Sequence, residues 1–259
     1  MSFSLEFYSL SWNTLKTALI QRKPELIRSV QERQWDKLLS DTDLARNDDD
    51  KGGLGMGPAA IFADGLDEIA EAMTAKLPPR GDPPDIGDNA ALVTAAVIRH
   101  LGKPLGAISH RGSVVRDKGG EFPLDFRAMF LDGVAGTCFK DHALGEKLAA
   151  RPLFGLFHLD FLSWGGLTQR EIGDLLGNYA VPPDIKQNED WQAVAQNADA
   201  WLGELVKSLK AAAAAKTDLV SLFLTAPEHY ISYRDELADE LLEDFSFIGK
   251  LKSFIARYI

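Results

Sequence analysis

Cysteine is almost absent from this chain of 259 residues, in which Cys138 is the single example. An internal disulfide is therefore impossible, and the cysteine content gives no indication of secretion. No apolar run reaches the roughly 18 residues that a membrane-spanning helix needs. The first residues also lack the basic and apolar regions of a signal peptide. We therefore expect a cytoplasmic protein without a membrane partner.

Basic residues are fewer than acidic ones, with 28 lysines and arginines against 38 aspartates and glutamates and a net charge of −10. A nucleic-acid partner is not expected, because such binding needs a basic surface that displaces counterions from phosphates. The same charge is compatible with a basic protein partner. Hydrophobic residues at 46% and charged residues at 25% are ordinary globular values, so the composition predicts a folded chain.

The sequence contains neither a Gly-x-Ser-x-Gly nor a His-Glu-x-x-His motif. The glycine run at 52–57 lacks the lysine and hydroxyl of a P-loop, and its spacing does not match a dinucleotide-binding loop. The aspartates at 48–50 precede this run and would repel a phosphate. We interpret the run as a flexible linker, with an anion-binding loop as the alternative. No cofactor and no metal site are predicted.

The clearest structural pattern lies at 153–177. Side chains alternate across 153–162 as in a strand, although Leu153, Phe157 and Trp164 would also share one side of a helix. We favour the strand because the run is short, aromatic and interrupted by Gly155. If this strand is central, Phe157 and Trp164 are expected to be buried.

The end of this stretch predicts a turn into a helix. Gly165 and Gly166 are expected to end the strand, because glycine breaks the alternating pattern. Thr168 and Glu171 have the spacing of a capping box, in which each residue satisfies a backbone N–H at the start of a helix. The pattern therefore predicts a helix that runs through Leu176.

The other elements follow from similar patterns. Strands are predicted at 3–10, 105–109, 113–115 and 219–224, and helices at 12–22, 24–39, 58–77, 88–100, 122–130, 142–150 and 189–215. The predicted strands are separated by several helices each, so strands and helices do not alternate one by one as they do in a parallel α/β protein. The fold class predicted is α+β, mainly helical, with a small sheet of three or four short strands covered by helices. We expect one domain over 1–259, with two lobes that meet near the proline loop 78–88 as the alternative.

The opening of the chain combines a strand at 3–10, a capping residue at Ser11 and a second helix that starts near Pro24. Over roughly its first 30 residues this opening resembles that of some uncharacterised bacterial proteins. The resemblance implies no particular function.

His158 and Asp160 are the candidates for catalysis. They are two residues apart, so on a strand both side chains leave the same face. A neutral imidazole beside a carboxylate can act as a general base, and the pair could also supply two metal ligands. The competing interpretation is a structural pair on a half-exposed sheet face, which is favoured because no third partner is evident.

A second candidate site is the positive patch formed by His110, Arg111 and Arg116 in a glycine-containing region. An anionic ligand could bind there, with Trp164 as a further ligand contact. The competing interpretations are a solvated loop for the patch and a core position for the tryptophan.

Two classes of function follow, and the sequence leaves open whether the protein is an enzyme. The favoured hypothesis is an intracellular acidic binding or interaction protein that has a basic protein partner and no catalytic machinery. The alternative is an enzyme or small-ligand-binding protein whose site is formed by His158, Asp160 and the loop containing His110 and Arg111.

Overall fold

Four strands form one antiparallel sheet in the order β2-β1-β4-β3. They are β1 (Phe3–Ser9), β2 (Lys103–His110), β3 (Leu162–Leu167) and β4 (Leu219–Thr225). The structure is a computed structural model, and it describes residues 3–21, 24–30, 32–33, 58–74, 86–110, 126–154 and 162–225. Within these residues the fold is α+β and mainly helical with a small sheet, which confirms the predicted fold class.

The helices fall into an N-terminal group and a C-terminal group. The first group contains α1 (Trp12–Gln21), α2 (Pro24–Val30), α3 (Pro58–Thr74) and α4 (Asp88–Leu101). The second group begins with a π-helix (Arg127–Ala135) that continues directly into α5 (Gly136–Phe139). It continues with α6 (Leu144–Ala149), α7 (Gln169–Asn178), a short 3-10 helix (Ile185–Gln187), α8 (Glu189–Ala193) and α9 (Ala198–Ala215).

The two helix groups cover opposite faces of the sheet, because neighbouring strand residues point to opposite sides. Leu5 and Phe7 of β1 belong to a buried cluster with the C-terminal helices, and Phe3 packs against it. Tyr8 belongs to a second cluster, shared with the N-terminal helices and with Trp164 and Leu222. The sheet is therefore sandwiched between two helical layers.

The strand predicted at 153–162 is wrong in its boundaries. Leu153 makes only an isolated bridge, and Phe154 lies in a turn with a positive φ of 58°. The strand β3 instead runs from Leu162 to Leu167, and residues 155–161, including Phe157, lie outside the described residues. This strand is outermost among the four described strands, and β1 and β4 are the inner ones. Trp164 is buried as predicted, with 2% of its surface exposed.

Gly165 and Gly166 lie inside β3, so the prediction that they end the strand is also wrong. At Gly165 the reason is a close approach by α6. A Cβ atom at Gly165 would overlap the carbonyl oxygen of Lys147, so only glycine lets the helix pack this tightly on the strand. Two serines beside this contact also bind the end of α6 to the sheet. Ser163 Oγ donates to the Ala149 carbonyl and Ser221 Oγ donates to the Leu148 carbonyl, both at 2.6 Å.

The helix predicted at 189–215 is interrupted between α8 and α9. Hydrogen bonds there switch to the tighter i→i−3 pattern, from Ala195 N to Gln192 O and from Asn197 N to Val194 O. Asparagine favours caps and turns over helix interiors, which accounts for a break beside Asn197. The glycine run 52–57 and the loop 78–85 lie outside the described residues, so the two-lobe alternative stays a prediction.

Candidate functional site

Most residues of the predicted site lie outside the described residues, namely His158, Asp160, Arg111 and Arg116. His110 is the last residue of β2, where its backbone is paired with Phe3 of β1. Trp164 packs in the buried cluster of the N-terminal layer, which agrees with the interpretation of this residue as part of the core.

The described residues that flank the two parts of the predicted site, His110 and Leu162, lie at the same end of the sheet. His110 ends β2 opposite Phe3, and Phe3 is also opposite Thr225 of β4. Leu162, which starts β3, is opposite Leu224. Neighbouring strands are about 4.8 Å apart, so the end of β2 and the start of β3 are separated by roughly 14 Å across the sheet. The topology therefore brings together the ends of segments that are distant in sequence.

A buried polar cluster links β1 to α4 on the N-terminal layer. Arg99 Nη2 donates to Glu6 Oε1 at 2.7 Å and Arg99 Nε to Glu6 Oε2 at 3.0 Å. The Tyr8 hydroxyl donates to Glu6 Oε2 at 2.6 Å. Desolvation by burial, followed by the charge of Glu6, raises the pKa of Tyr8 well above that of a free phenol. The sequence signal for this cluster is Arg99, the one basic residue other than His100 in a mainly apolar helix, and this signal was not used to predict a site.

A second polar cluster joins the two layers at the start of α7. Arg151 Nη1 donates to both carboxylate oxygens of Glu171, at 2.9 and 3.0 Å, and to the Gly166 carbonyl at 3.1 Å. Its guanidinium also lies 4.9 Å from the centre of the Trp12 ring, a cation–π distance. Arg151 therefore ties α1 of the N-terminal layer to β3 and α7.

Glu171 also closes the predicted capping box, which is confirmed. Its carboxylate accepts from the backbone N–H and the hydroxyl of Thr168, both at 2.8 Å, while Thr168 Oγ1 accepts from Glu171 N. Burial alone would raise the pKa of Glu171, but the hydrogen bonds from Thr168 and Arg151 outweigh burial and lower it. These contacts make Glu171 a structural carboxylate that is ionised at neutral pH.

Asp218 caps two helices at once. Its Oδ2 accepts from the backbone N–H of Trp12 at 3.0 Å, and its Oδ1 accepts from Gln169 N at 3.2 Å. The first N–H groups of a helix have no partner within that helix, so one carboxylate here satisfies the starts of α1 and α7. Asp218 therefore has a structural role at the junction of the layers.

A shallow cleft of about 130 Å³ lies between α5, α6 and α7. Its lining combines the apolar side chains of Phe139 and Leu175 with charged and amide groups of Lys140, Asp141, Lys147, Glu171, Asp174 and Asn178. Lys147 Nζ pairs with Asp141 Oδ2 at 2.6 Å, and Glu171 is held by Arg151. Sites for small organic ligands are usually about 300–1,000 Å³, so this cleft is too small for a ligand of ordinary size.

Among the helices that the structure describes, α3 carries the most one-sided charge. It contains four acidic residues, Asp64, Asp67, Glu68 and Glu71, and no lysine or arginine. Two of them contact the start of α4, where Glu68 accepts from Gly87 N and Asp64 accepts from the Asn89 side chain at 3.0 Å. Asp67 and Glu71, one helical turn apart, are both exposed. The helix therefore presents an acidic surface, which we call the α3 face and define by Asp67 and Glu71.

Comparison with known proteins does not assign the chain to a family. No protein-family model matches the chain, and no curated protein or solved structure is significantly similar to it. Within the described ranges, no three or more histidine, cysteine, aspartate or glutamate side chains are grouped so that they could hold a metal ion. No helix in the same part of the chain is long and apolar enough to cross a membrane.

Proposed function

We propose that this protein is a non-catalytic binding protein that engages a basic partner protein through the α3 face. The observation that supports this proposal is the charge of α3, which carries four carboxylates and no basic residue. The acidic residues of α9 differ, because Asp199 and Glu204 share that helix with Lys207 and Lys210. Among the described helices, α3 is therefore the one where a basic surface would meet the least repulsion.

Charges at the rim of an interface mainly raise the association rate and the specificity of binding. Surface charge pairs contribute only about 0–1 kcal/mol each, so two of them alter affinity by roughly 30-fold at most. The α3 face would thus steer and orient the partner, while neighbouring apolar contacts would supply most of the affinity. The proposed location is the cytoplasm, which suits a protein whose one cysteine is buried and forms no disulfide.

The partner can be identified by site-specific photo-crosslinking in the source cells. A photo-reactive residue would replace Ala63, which is exposed on α3, and in a matched control Ala200, which is exposed on α9. The proposal expects a discrete cross-linked protein from position 63 whose attached peptide is rich in lysine and arginine. Cross-links that form only from position 200 would contradict it.

The purified partner then allows an affinity test. The double variant Asp67→Asn with Glu71→Gln removes two charges from the α3 face. The control Asp174→Asn with Asp199→Asn removes two charges from the C-terminal layer, where both side chains are largely exposed. We expect the α3 variant to bind about 5–10-fold more weakly at low salt and the control to bind within about twofold of the wild type. Equal affinities for the two variants would count against the α3 face.

The alternative proposal is a small-ligand site or an enzyme active site at the end of the sheet. It is supported by the pairing that places His110 and Leu162 at one end, since the segment with His158 and Asp160 leads into Leu162. A thermal-shift titration with inorganic phosphate tests it. Stabilisation of the wild type that is lost in Arg111→Ala with Arg116→Ala would favour this alternative. No stabilisation of either protein would argue against an anion site there.

A further inference from the structure

We draw no further inference here: the strongest candidate, the shallow cleft between α5, α6 and α7, carries none, because its carboxylates Asp141 and Glu171 are already paired with Lys147 and Arg151 and no described group in it indicates which ligand would bind.

Discussion

Arg99 and Glu6 are 93 residues apart in the chain, yet they form a two-point ion pair between α4 and β1. The arginine side chain is 5% exposed and the glutamate side chain 20% exposed, so the pair is largely removed from water. Between Ala90 and Ile98 the helix α4 is buried and apolar except for Thr94. The pair, together with the Tyr8 hydroxyl, therefore links α4 to β1 at a defined position.

The first prediction concerns this ion pair. Arg99→Met should lower the free energy of unfolding by about 3 kcal/mol, because it leaves the Glu6 carboxylate without its charged partner in a poorly hydrated place. The triple variant Arg99→Met with Glu6→Leu and Tyr8→Phe should recover much of this loss, since an apolar cluster needs no compensating charge and leaves no buried hydroxyl without an acceptor. Urea unfolding measures both values. If Arg99→Met were as stable as the wild type, the ion pair would not stabilise the packing of α4 on β1.

The second prediction concerns the pH dependence of Tyr8. Its pKa is raised in the folded protein, so the neutral phenol is favoured by folding and contributes stability below the ordinary pKa of about 10. This stability is lost as the pH rises above about 10, because tyrosine ionises in the unfolded chain but not in the folded one. Between pH 9 and 11 the melting temperature of the wild type should therefore fall more steeply than that of Tyr8→Phe. Parallel curves would mean that Tyr8 titrates normally.

The third prediction concerns the capping box. Glu171→Gln should cost about 1–2 kcal/mol at neutral pH, because it weakens both the helix cap and the contact with Arg151. The folded-state pKa of Glu171 is lowered, so its contribution is present above the ordinary glutamate pKa of about 4.3 and is lost as the pH falls through the lower folded-state value. The stability difference between wild type and variant should therefore shrink in acid. A difference that stays constant from pH 7 to pH 3 would contradict this role.

The fourth prediction compares two glycines. Gly165→Ala should destabilise the protein by about 1–3 kcal/mol, because the added methyl group would overlap the backbone of α6 at Lys147. Gly173→Ala on α7 is the matched control, since its Cβ would point into open space. Alanine is the better helix former, so this second change should stabilise the protein by roughly 0.5–1 kcal/mol. Thermal melts that shift in the same direction for both variants would refute the close approach.

Local patterns in the sequence predict the elements that depend on local interactions. The strand at 3–10, the helix after Ser11, the capping box at Thr168 and the strand at 219–224 all form close to their expected positions. Each is specified by alternation, by helical spacing or by a cap within a few residues. The fold class follows from the order of these elements, and it is confirmed as well.

Features that depend on distant contacts are the ones that the sequence did not reveal. The glycines of β3 break a local pattern, but Gly165 is required by α6, which belongs to another part of the chain. The position of β3 at the margin of the described sheet depends on its pairing with β4. Arg99 and Glu6 show no relation in sequence, because the ion pair arises only when α4 packs on β1.

In the candidate sites, too, some features follow from local sequence patterns and others only from contacts between distant parts of the chain. The burial of Trp164 follows from a local apolar pattern and is confirmed. The placement of His110 and Leu162 at one end of the sheet follows only from strand order. His158, Asp160, Arg111 and Arg116 stay predictions, and so do their roles.

The central functional claim is that the α3 face attracts a basic partner, and the salt dependence of the association rate tests it most directly. The rate constant for binding the cross-linked partner would be measured by stopped flow over a range of sodium chloride concentrations. Salt screens exposed charges over a Debye length of about 10 Å at 0.1 M. If the α3 face speeds association by attracting the partner, the association rate should therefore fall steadily as salt rises. We predict a clearly smaller slope for Asp67→Asn with Glu71→Gln than for Asp174→Asn with Asp199→Asn. Identical slopes for the two variants would contradict the claim.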